Sequence, residues 1–260
     1  VFAALTTGDY NSVLGFQAGY ALTTGEENTA VGNLTGQNLT TGQYNTAVGS
    51  NSLTNTTTAN YNTTLGRSAM HHNTTGSENT AVGSFALHRN TTAANNTAVG
   101  YNALEANTTA TVNTAVGGNA LATNTTGEAL VAVGENTLYA NTTGNYNTAV
   151  GRNALSSNTT GSSNCVVGIN AGSATTTGGS NTFMGETCGG SNTTGGENTF
   201  YGWNAGRAGG VYTTTGCCNV YIGSAVGGSA VDSIGEIVLG RYVNGGGNNT
   251  FRVGITYSGT

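Results

Sequence analysis

The chain has 260 residues, of which 43 are glycine, none is proline and only 7% are charged, with a formal net charge of -5. This balance excludes the basic footprint of a nucleic-acid-binding protein, and no apolar run approaches the roughly 18 residues that a membrane span needs. Large aliphatic residues are too sparse for a thick globular core, which favours a thin body stabilised by contacts between successive repeats.

A strict repeat runs through most of the sequence. Its clearest form is Asn-Thr-Ala-Val-Gly at 28–32, and the closing glycine then recurs every 17 residues. Asparagine lies four residues before this glycine in every copy except the one that carries Leu130. A short period held without insertion predicts a stack of equivalent coils, because an insertion would put one layer out of register with its neighbours. The closing glycines are Gly15, Gly32, Gly49, Gly66, Gly83, Gly100, Gly117, Gly134, Gly151, Gly168, Gly185 and Gly202.

The repeat predicts an all-β fold, a parallel β-solenoid (β-roll) with a strict 17-residue coil, which we expect to assemble as a homotrimeric fibre. Residues 1–202 would form the regular solenoid. After residue 202 the intervals between closing glycines are 21, 17 and 14 residues. We therefore predict an irregular transition and a C-terminal β-roll segment over 203–260.

Two apolar columns indicate which residues of each strand point inward and which point outward. The residue before the closing glycine is large, as in Val82 and Val99, and the residue before that is usually alanine, as in Ala81 and Ala98. Alternate residues of a strand point to opposite faces, so we predict that the valine column points inward and the alanine column outward. An outward apolar column requires a partner surface, which predicts lateral self-association, most simply as a trimer.

Polar and glycine columns complete the coil. The asparagine column provides one amide per layer, which predicts a ladder of stacked side-chain hydrogen bonds. Glycine recurs at the corner before it, as at Gly25 and Gly42. We expect these glycines to supply the positive φ that a tight corner needs.

The tripeptide Asn-Thr-Thr recurs at the repeat period, and each copy is an acceptor sequence for N-glycosylation. In a host that performs this modification, a sugar would sit on nearly every layer, whereas in a bacterial or phage protein these asparagines would be turn and ladder residues. The candidate glycosylation sites are Asn73, Asn90, Asn107, Asn124, Asn141, Asn158 and Asn192. Further acceptor sequences begin at Asn33, Asn38, Asn55, Asn62, Asn95 and Asn248.

Four cysteines lie in the last hundred residues, without the spacing of a metal-binding knuckle. A disulfide among Cys188, Cys217 and Cys218 would fix the irregular segment of an extracellular fibre, and buried free thiols are the alternative. Cys165 replaces threonine in its column, which favours a packed thiol there.

His71 and His88 are one period apart, so their rings should stack in adjacent layers about 4.8 Å apart. Two such imidazoles could share a metal ion, but an exposed polar column is the favoured interpretation, and we predict no metal and no cofactor. The chain has no lysine, no Gly-x-Ser-x-Gly motif and no histidine at a readable spacing from a nucleophile. We expect a protein that is not an enzyme.

Two repeats carry a resemblance to known families: GFQAGYALTTGEENTAVG at 15–32 and GINAGSATTTGGSNTFMG at 168–185. They resemble repeat regions of bacteriophage tail-fibre proteins and, more loosely, the heads of trimeric autotransporter adhesins. In those heads a shorter repeat builds a parallel β-roll as a homotrimer, and 238–254, with its 14-residue interval, is the closest match to that repeat.

The resemblance implies a structural or adhesive fibre component, a shaft or head outside the cell, on a virion or cell surface. Its implied partners are further copies of the chain and a cell-surface glycan or receptor. The alternative is a self-assembling extracellular filament protein, N-glycosylated and with a scaffolding role. Neither interpretation includes nucleic acid or a membrane span.

Overall fold

The computed structural model describes residues 3–255, which contain 17 β-strands and no helix. The chain divides into two compact units, one ending at Leu130 and one beginning at Val131. Each unit is built from short parallel strands joined by turns, one strand per coil. The predicted all-β parallel solenoid is confirmed in both units.

The first unit has seven strands of three residues each. Neighbouring strands pair in parallel so that Ala81 lies opposite Ala98 and Val82 lies opposite Val99. The register therefore equals the sequence period, and residues of one column stack on each other. The strands are β1 (Ser12–Leu14), β2 (Thr29–Val31), β3 (Thr46–Val48), β4 (Thr63–Leu65), β5 (Thr80–Val82), β6 (Thr97–Val99) and β7 (Thr114–Val116).

The second unit continues this pattern and then varies it. Its parallel ladder contains β8 to β12 and β15 to β17, while β13 and β14 form a separate antiparallel pair. The strands are β8 (Val131–Val133), β9 (Thr148–Val150), β10 (Cys165–Val167), β11 (Thr182–Met184), β12 (Thr199–Tyr201), β13 (Arg207–Ala208), β14 (Val211–Tyr212), β15 (Val220–Ser224), β16 (Ile237–Arg241) and β17 (Phe251–Ile255).

The long interval between Gly202 and Gly223 has a local explanation. It is 21 residues instead of 17, an excess of four, and this segment contains the β13–β14 hairpin. Despite the insertion β12 pairs directly with β15, with Phe200 opposite Tyr221. The extra residues thus leave the coil as a hairpin, and the stacking of strands continues past them.

The strand faces are the reverse of the prediction. Ala81 and Ala98 are fully buried, whereas Val82 and Val99 are partly exposed. The middle residue is the buried one in β2 to β9. The prediction was wrong because it gave the interior to the larger residue, although the space inside this thin coil is already filled from its other side.

The residue that fills the interior lies four positions after the closing glycine. Leu87 and Leu104 occupy this position in the first unit and are fully buried. Later in the second unit the volumes are exchanged: Phe183 is buried on its strand, and a Cβ added at Gly189 would lie 2.6 Å from its ring. A large side chain from one column is thus matched by a small residue in the other.

The column of Leu87 and Leu104 has an unusual backbone. Their φ values are 50° and 52°, a left-handed conformation that costs an L-residue roughly 1–2 kcal/mol. Burying a leucine side chain contributes about 1.5–3 kcal/mol, which offsets the strain. This balance explains why the column holds either leucine or methionine, which gain from burial, or glycine, which is not strained.

Two glycine columns are needed for different reasons. Gly83 has a φ of 131°, and a Cβ there would collide with the carbonyl group of Gly100 in the next coil. The corner residue Gly25 has no positive φ, but a Cβ there would collide with the carbonyl oxygen of Gly42. The prediction that Gly25 supplies a positive φ was therefore wrong. Glycine is favoured at this position because successive coils stack closely, and the residue of this corner that has a positive φ is Glu27, at 53°.

The two faces of β6 can be tested with adjacent substitutions. Ala98→Asp would place an unpaired carboxylate in a buried space that holds a methyl group, so we expect it to lower the free energy of unfolding by at least about 3 kcal/mol. Thr97→Asp, on the outward face, should change it by less than about 1 kcal/mol. Thermal unfolding followed by circular dichroism measures both, and equal losses would contradict the assignment of the faces.

Candidate functional site

The asparagine column before each closing glycine forms the predicted ladder. In the first unit Asn79 Nδ2 donates to Asn62 Oδ1 at 3.2 Å and to the carbonyl oxygen of Ala93 at 2.9 Å. Asn62 Oδ1 also accepts the backbone N–H of Asn79 at 3.0 Å. Asn164 and Asn147 repeat the arrangement in the second unit. Each amide connects three successive coils, so this column serves the fold and is not available to a ligand.

Leu130 shows what the ladder loses when the amide is absent. Its side chain is fully buried, and its backbone N–H still donates to Asn113 Oδ1 at 3.0 Å. Leucine has no polar side-chain atom, however, so it cannot donate or accept within the ladder. Leucine therefore fits the space that asparagine occupies in the other coils, but it lacks the side-chain hydrogen bonds of the ladder.

The candidate glycosylation sites form a second ladder inside the coil. All seven side chains are fully buried. Asn90 Nδ2 donates to Asn73 Oδ1 at 2.9 Å and to the carbonyl oxygen of Ala93 at 3.0 Å, and Asn107 Nδ2 donates to Asn90 Oδ1 at 3.1 Å. An oligosaccharide on such an enclosed nitrogen would not fit the folded coil. These seven residues are Asn73, Asn90, Asn107, Asn124, Asn141, Asn158 and Asn192.

Glycosylation of these seven asparagines therefore stays a prediction, and it would require that the chain is modified before it folds. Other acceptor sequences are open in the folded protein, since their asparagines are exposed. They are Asn33, Asn38, Asn95 and Asn248.

The four cysteines are free thiols. Cys188 is buried, and its Sγ lies 3.2 Å from the carbonyl oxygen of Phe200. The Sγ atoms of Cys217 and Cys218 are 3.2 Å apart but not bonded, and a disulfide among these three cysteines stays a prediction. Cys165 is exposed instead of packed, because its column faces outward from the sheet.

Three imidazole rings pack together on the first unit. His71 and His88 are stacked as predicted, with ring centroids 5.6 Å apart, and His72 lies 4.7 Å and 5.0 Å from them. Partial burial, together with these two neighbouring rings, lowers the pKa of His72. Among residues 3–255, no group of three histidine, cysteine or acidic side chains is arranged to hold a metal ion.

The outward face of the parallel strands is uncharged at the first and third residue of each strand. In the first unit these positions hold threonine or serine and an aliphatic residue, as at Thr97 and Val99. Towards β17 in the second unit both become apolar: Ile222 is 43% exposed, Ile237 40% and Phe251 67%. The face thus changes along the chain from mixed to apolar.

A surface pocket lies on the second unit, lined by Asn136, Tyr139, Asn153, Ser156 and Ser157. Tyr139 is 44% exposed, and none of the five residues is charged. Sequence reasoning did not find this pocket. The available signal was the step from tyrosine to serine, one period apart, within a single outward column.

Comparison of the chain with protein-family models, with curated proteins and with solved structures finds no match. Within residues 3–255, no helix is long and apolar enough to cross a membrane.

The strength of the asparagine ladder can be tested with Asn79→Leu. The substitution removes the donors to Asn62 and Ala93, and the backbone N–H of Asn96 loses its acceptor. Each buried group left without a partner costs about 1–3 kcal/mol, so we expect a loss of at least about 3 kcal/mol in urea unfolding. Asn33→Leu, at an exposed position, is the control, and similar losses in both variants would contradict the ladder's role.

The thiols should differ in reactivity. Burial raises the pKa of the Cys188 thiol to about 12, and the adjacent Cys217 thiol raises the pKa of Cys218 to about 11. The thiolate is the reactive form, so at pH 8 iodoacetamide should modify exposed Cys165 first and Cys188 last. Peptide mass spectrometry over time measures the order, with urea-unfolded protein as the control. Early modification of Cys188 in the folded protein would be the contrary result.

Proposed function

We propose that this chain is a non-catalytic structural or adhesive fibre component, a shaft or head of the tail-fibre or surface-adhesin kind, located on a virion or cell surface. The observation that carries the proposal is the continuous stacking of equivalent coils within each unit. Backbone pairing and two buried asparagine ladders connect each layer to the next. Such a body transmits force along the stack and presents a new surface at every layer.

The threonine corner supports this proposal with a further set of bonds between coils. The carbonyl oxygen of Thr91 accepts the backbone N–H of Thr74 at 2.8 Å and that of Thr75 at 3.3 Å. It also accepts the Thr74 hydroxyl at 3.0 Å. Each hydrogen bond contributes only about 1 kcal/mol net, but the set is repeated from layer to layer. A mechanical or scaffolding role suits this repetition.

The charged residues also favour a structural role. Arg89 and Glu105 form a partly exposed ion pair at 3.0 Å. The fully buried carboxylate of Glu236 accepts hydrogen bonds from the Tyr221 hydroxyl at 3.2 Å and from the backbone N–H of Gly247 at 2.9 Å. Through these hydrogen bonds the Glu236 carboxylate holds neighbouring coils of the second unit together.

Self-association is part of the proposal, and it uses a different column from the one that the sequence indicated. The alanine column is enclosed in the coil, so the outward valine column is the apolar surface that a second chain would cover. Its uncharged neighbours favour close contact between flat sheet faces. A closed homotrimer is the assembly that we expect, because it would cover this face on every copy.

A second candidate is a self-assembling extracellular filament with a scaffolding role. The observation that favours it is the exposure of Asn33, Asn38 and Asn95 in the first unit, each within an acceptor sequence. Sugars at these positions would coat such a filament. Mass spectrometry of protein from its native source, which detects or excludes these sugars, separates the two candidates on this point.

The assembly can be tested by sedimentation velocity of the 25.9 kDa chain. We expect a trimer, and we expect Val82→Arg combined with Val99→Arg to shift it to monomer, because arginines on the covered face would lose hydration without gaining a partner. Thr75→Arg combined with Thr92→Arg, on the exposed corner, is the matched control and should remain trimeric. Large open particles would favour the filament, and a monomeric wild type would contradict self-association.

A further inference from the structure

We infer that the pocket around Tyr139 binds a neutral saccharide unit. The inference rests on the proposed adhesive function and gives that function a site and a class of ligand. It is drawn from five residues of the second unit: Asn136, Tyr139, Asn153, Ser156 and Ser157.

The repeat itself creates the concave surface. Tyr139 lies five residues after the closing glycine of its coil, and the equivalent residue of the next coil is Ser156. One period after Ser156 the column holds another serine, Ser173. A phenol ring is therefore followed by two short side chains, and the step leaves a depression with the ring as its wall. The regular stacking of coils fixes this shape, so a ligand would meet a pre-formed surface.

The rest of the lining is polar and held in place. Asn136 and Asn153 are one period apart, and both have left-handed backbones, with φ values of 54° and 57°. Asn153 Nδ2 donates to Asn170 Oδ1 at 3.0 Å, which fixes the orientation of its amide. Ser156 Oγ donates to the carbonyl oxygen of Ser173 at 3.4 Å and can still accept a hydrogen bond, and Ser157 adds a second hydroxyl group.

This combination selects an uncharged ligand that has both an apolar face and hydroxyl groups. The exposed ring of Tyr139 offers an apolar surface with a polar tip, on which the C–H face of a pyranose can lie. The amides and hydroxyls match the hydroxyl groups at the edge of such a sugar. No cationic residue lines the pocket to hold an anion, and Tyr139 alone is too little apolar surface for a lipid chain.

A single shallow site predicts weak binding, with a Kd on the order of 1 mM, because little of the ligand is enclosed. Several copies on one assembly would raise the overall avidity without any new contact. The site therefore fits recognition of a surface that carries many sugars better than capture of one free sugar.

The experiment is saturation-transfer NMR on the full chain with four probes: the methyl pyranosides of glucose, galactose, mannose and N-acetylglucosamine. We expect transfer to at least one probe in the wild type. Tyr139→Ala should weaken its binding at least tenfold, and Tyr139→Phe should retain most of it, because the ring face remains. Tyr146→Ala is the matched control, since Tyr146 is another exposed tyrosine of the second unit outside the pocket.

Absence of transfer to all four probes would overturn the inference, as would equal binding by Tyr139→Ala and Tyr146→Ala. Circular dichroism melting of each variant confirms that the coil is intact, which we expect because both tyrosines are exposed. Failure of saccharide binding leaves the sedimentation result unaffected, so a wrong ligand can be distinguished from a wrong fibre assignment. An unassembled chain that still binds the sugar would contradict the fibre and retain the site.

Discussion

The structure depends on hydrogen bonds that run from each coil to the next in one fixed register. Because residue i bonds to equivalent groups 17 positions away, the columns whose side chains bond between coils favour residues that can stack on themselves. Asn79 on Asn62 and Thr74 on Thr91 are examples of side chains that meet this demand. The same constraint explains the hairpin after Gly206, since extra residues can be accommodated only by leaving the coil.

The interior imposes a second constraint, which is volume. In the coils described above, a large side chain is paired with a small one: Leu87 lies with alanine on the strands, while Phe183 lies against Gly189. The exchange shows that packing acts between columns that are distant in sequence. It also explains how the chain tolerates a left-handed leucine, whose strain is offset by its burial.

The outer surface is free of both constraints, and it is there that the coils differ from one another. The histidine cluster, the exposed thiol of Cys165, the apolar face near β17 and the Tyr139 pocket all occupy outward columns. A stacked interior thus provides a constant frame on which each layer can carry different chemistry. Recognition by such a protein would be determined by a few surface substitutions and not by the repeat itself.

The sequence by itself determined the period, and with it the parallel solenoid, the asparagine ladder of Asn62 and Asn79 and the stacking of His71 on His88. Each follows from spacing alone, because residues one period apart must lie in adjacent layers. Adjacent residues of a strand posed a different question, namely which of them faces the interior.

Only the tertiary structure decided that question. Alanine and valine are both apolar, and the choice between Ala98 and Val99 for the interior depends on Leu104, which fills the coil from its opposite side. The burial of Asn90 in its Asn-Thr-Thr corner and the exposure of Cys165 were decided in the same way. The physical reason is that the volume left across the interior of a thin coil decides which residue points inward. The spacing of residues along the chain gives no information about that volume.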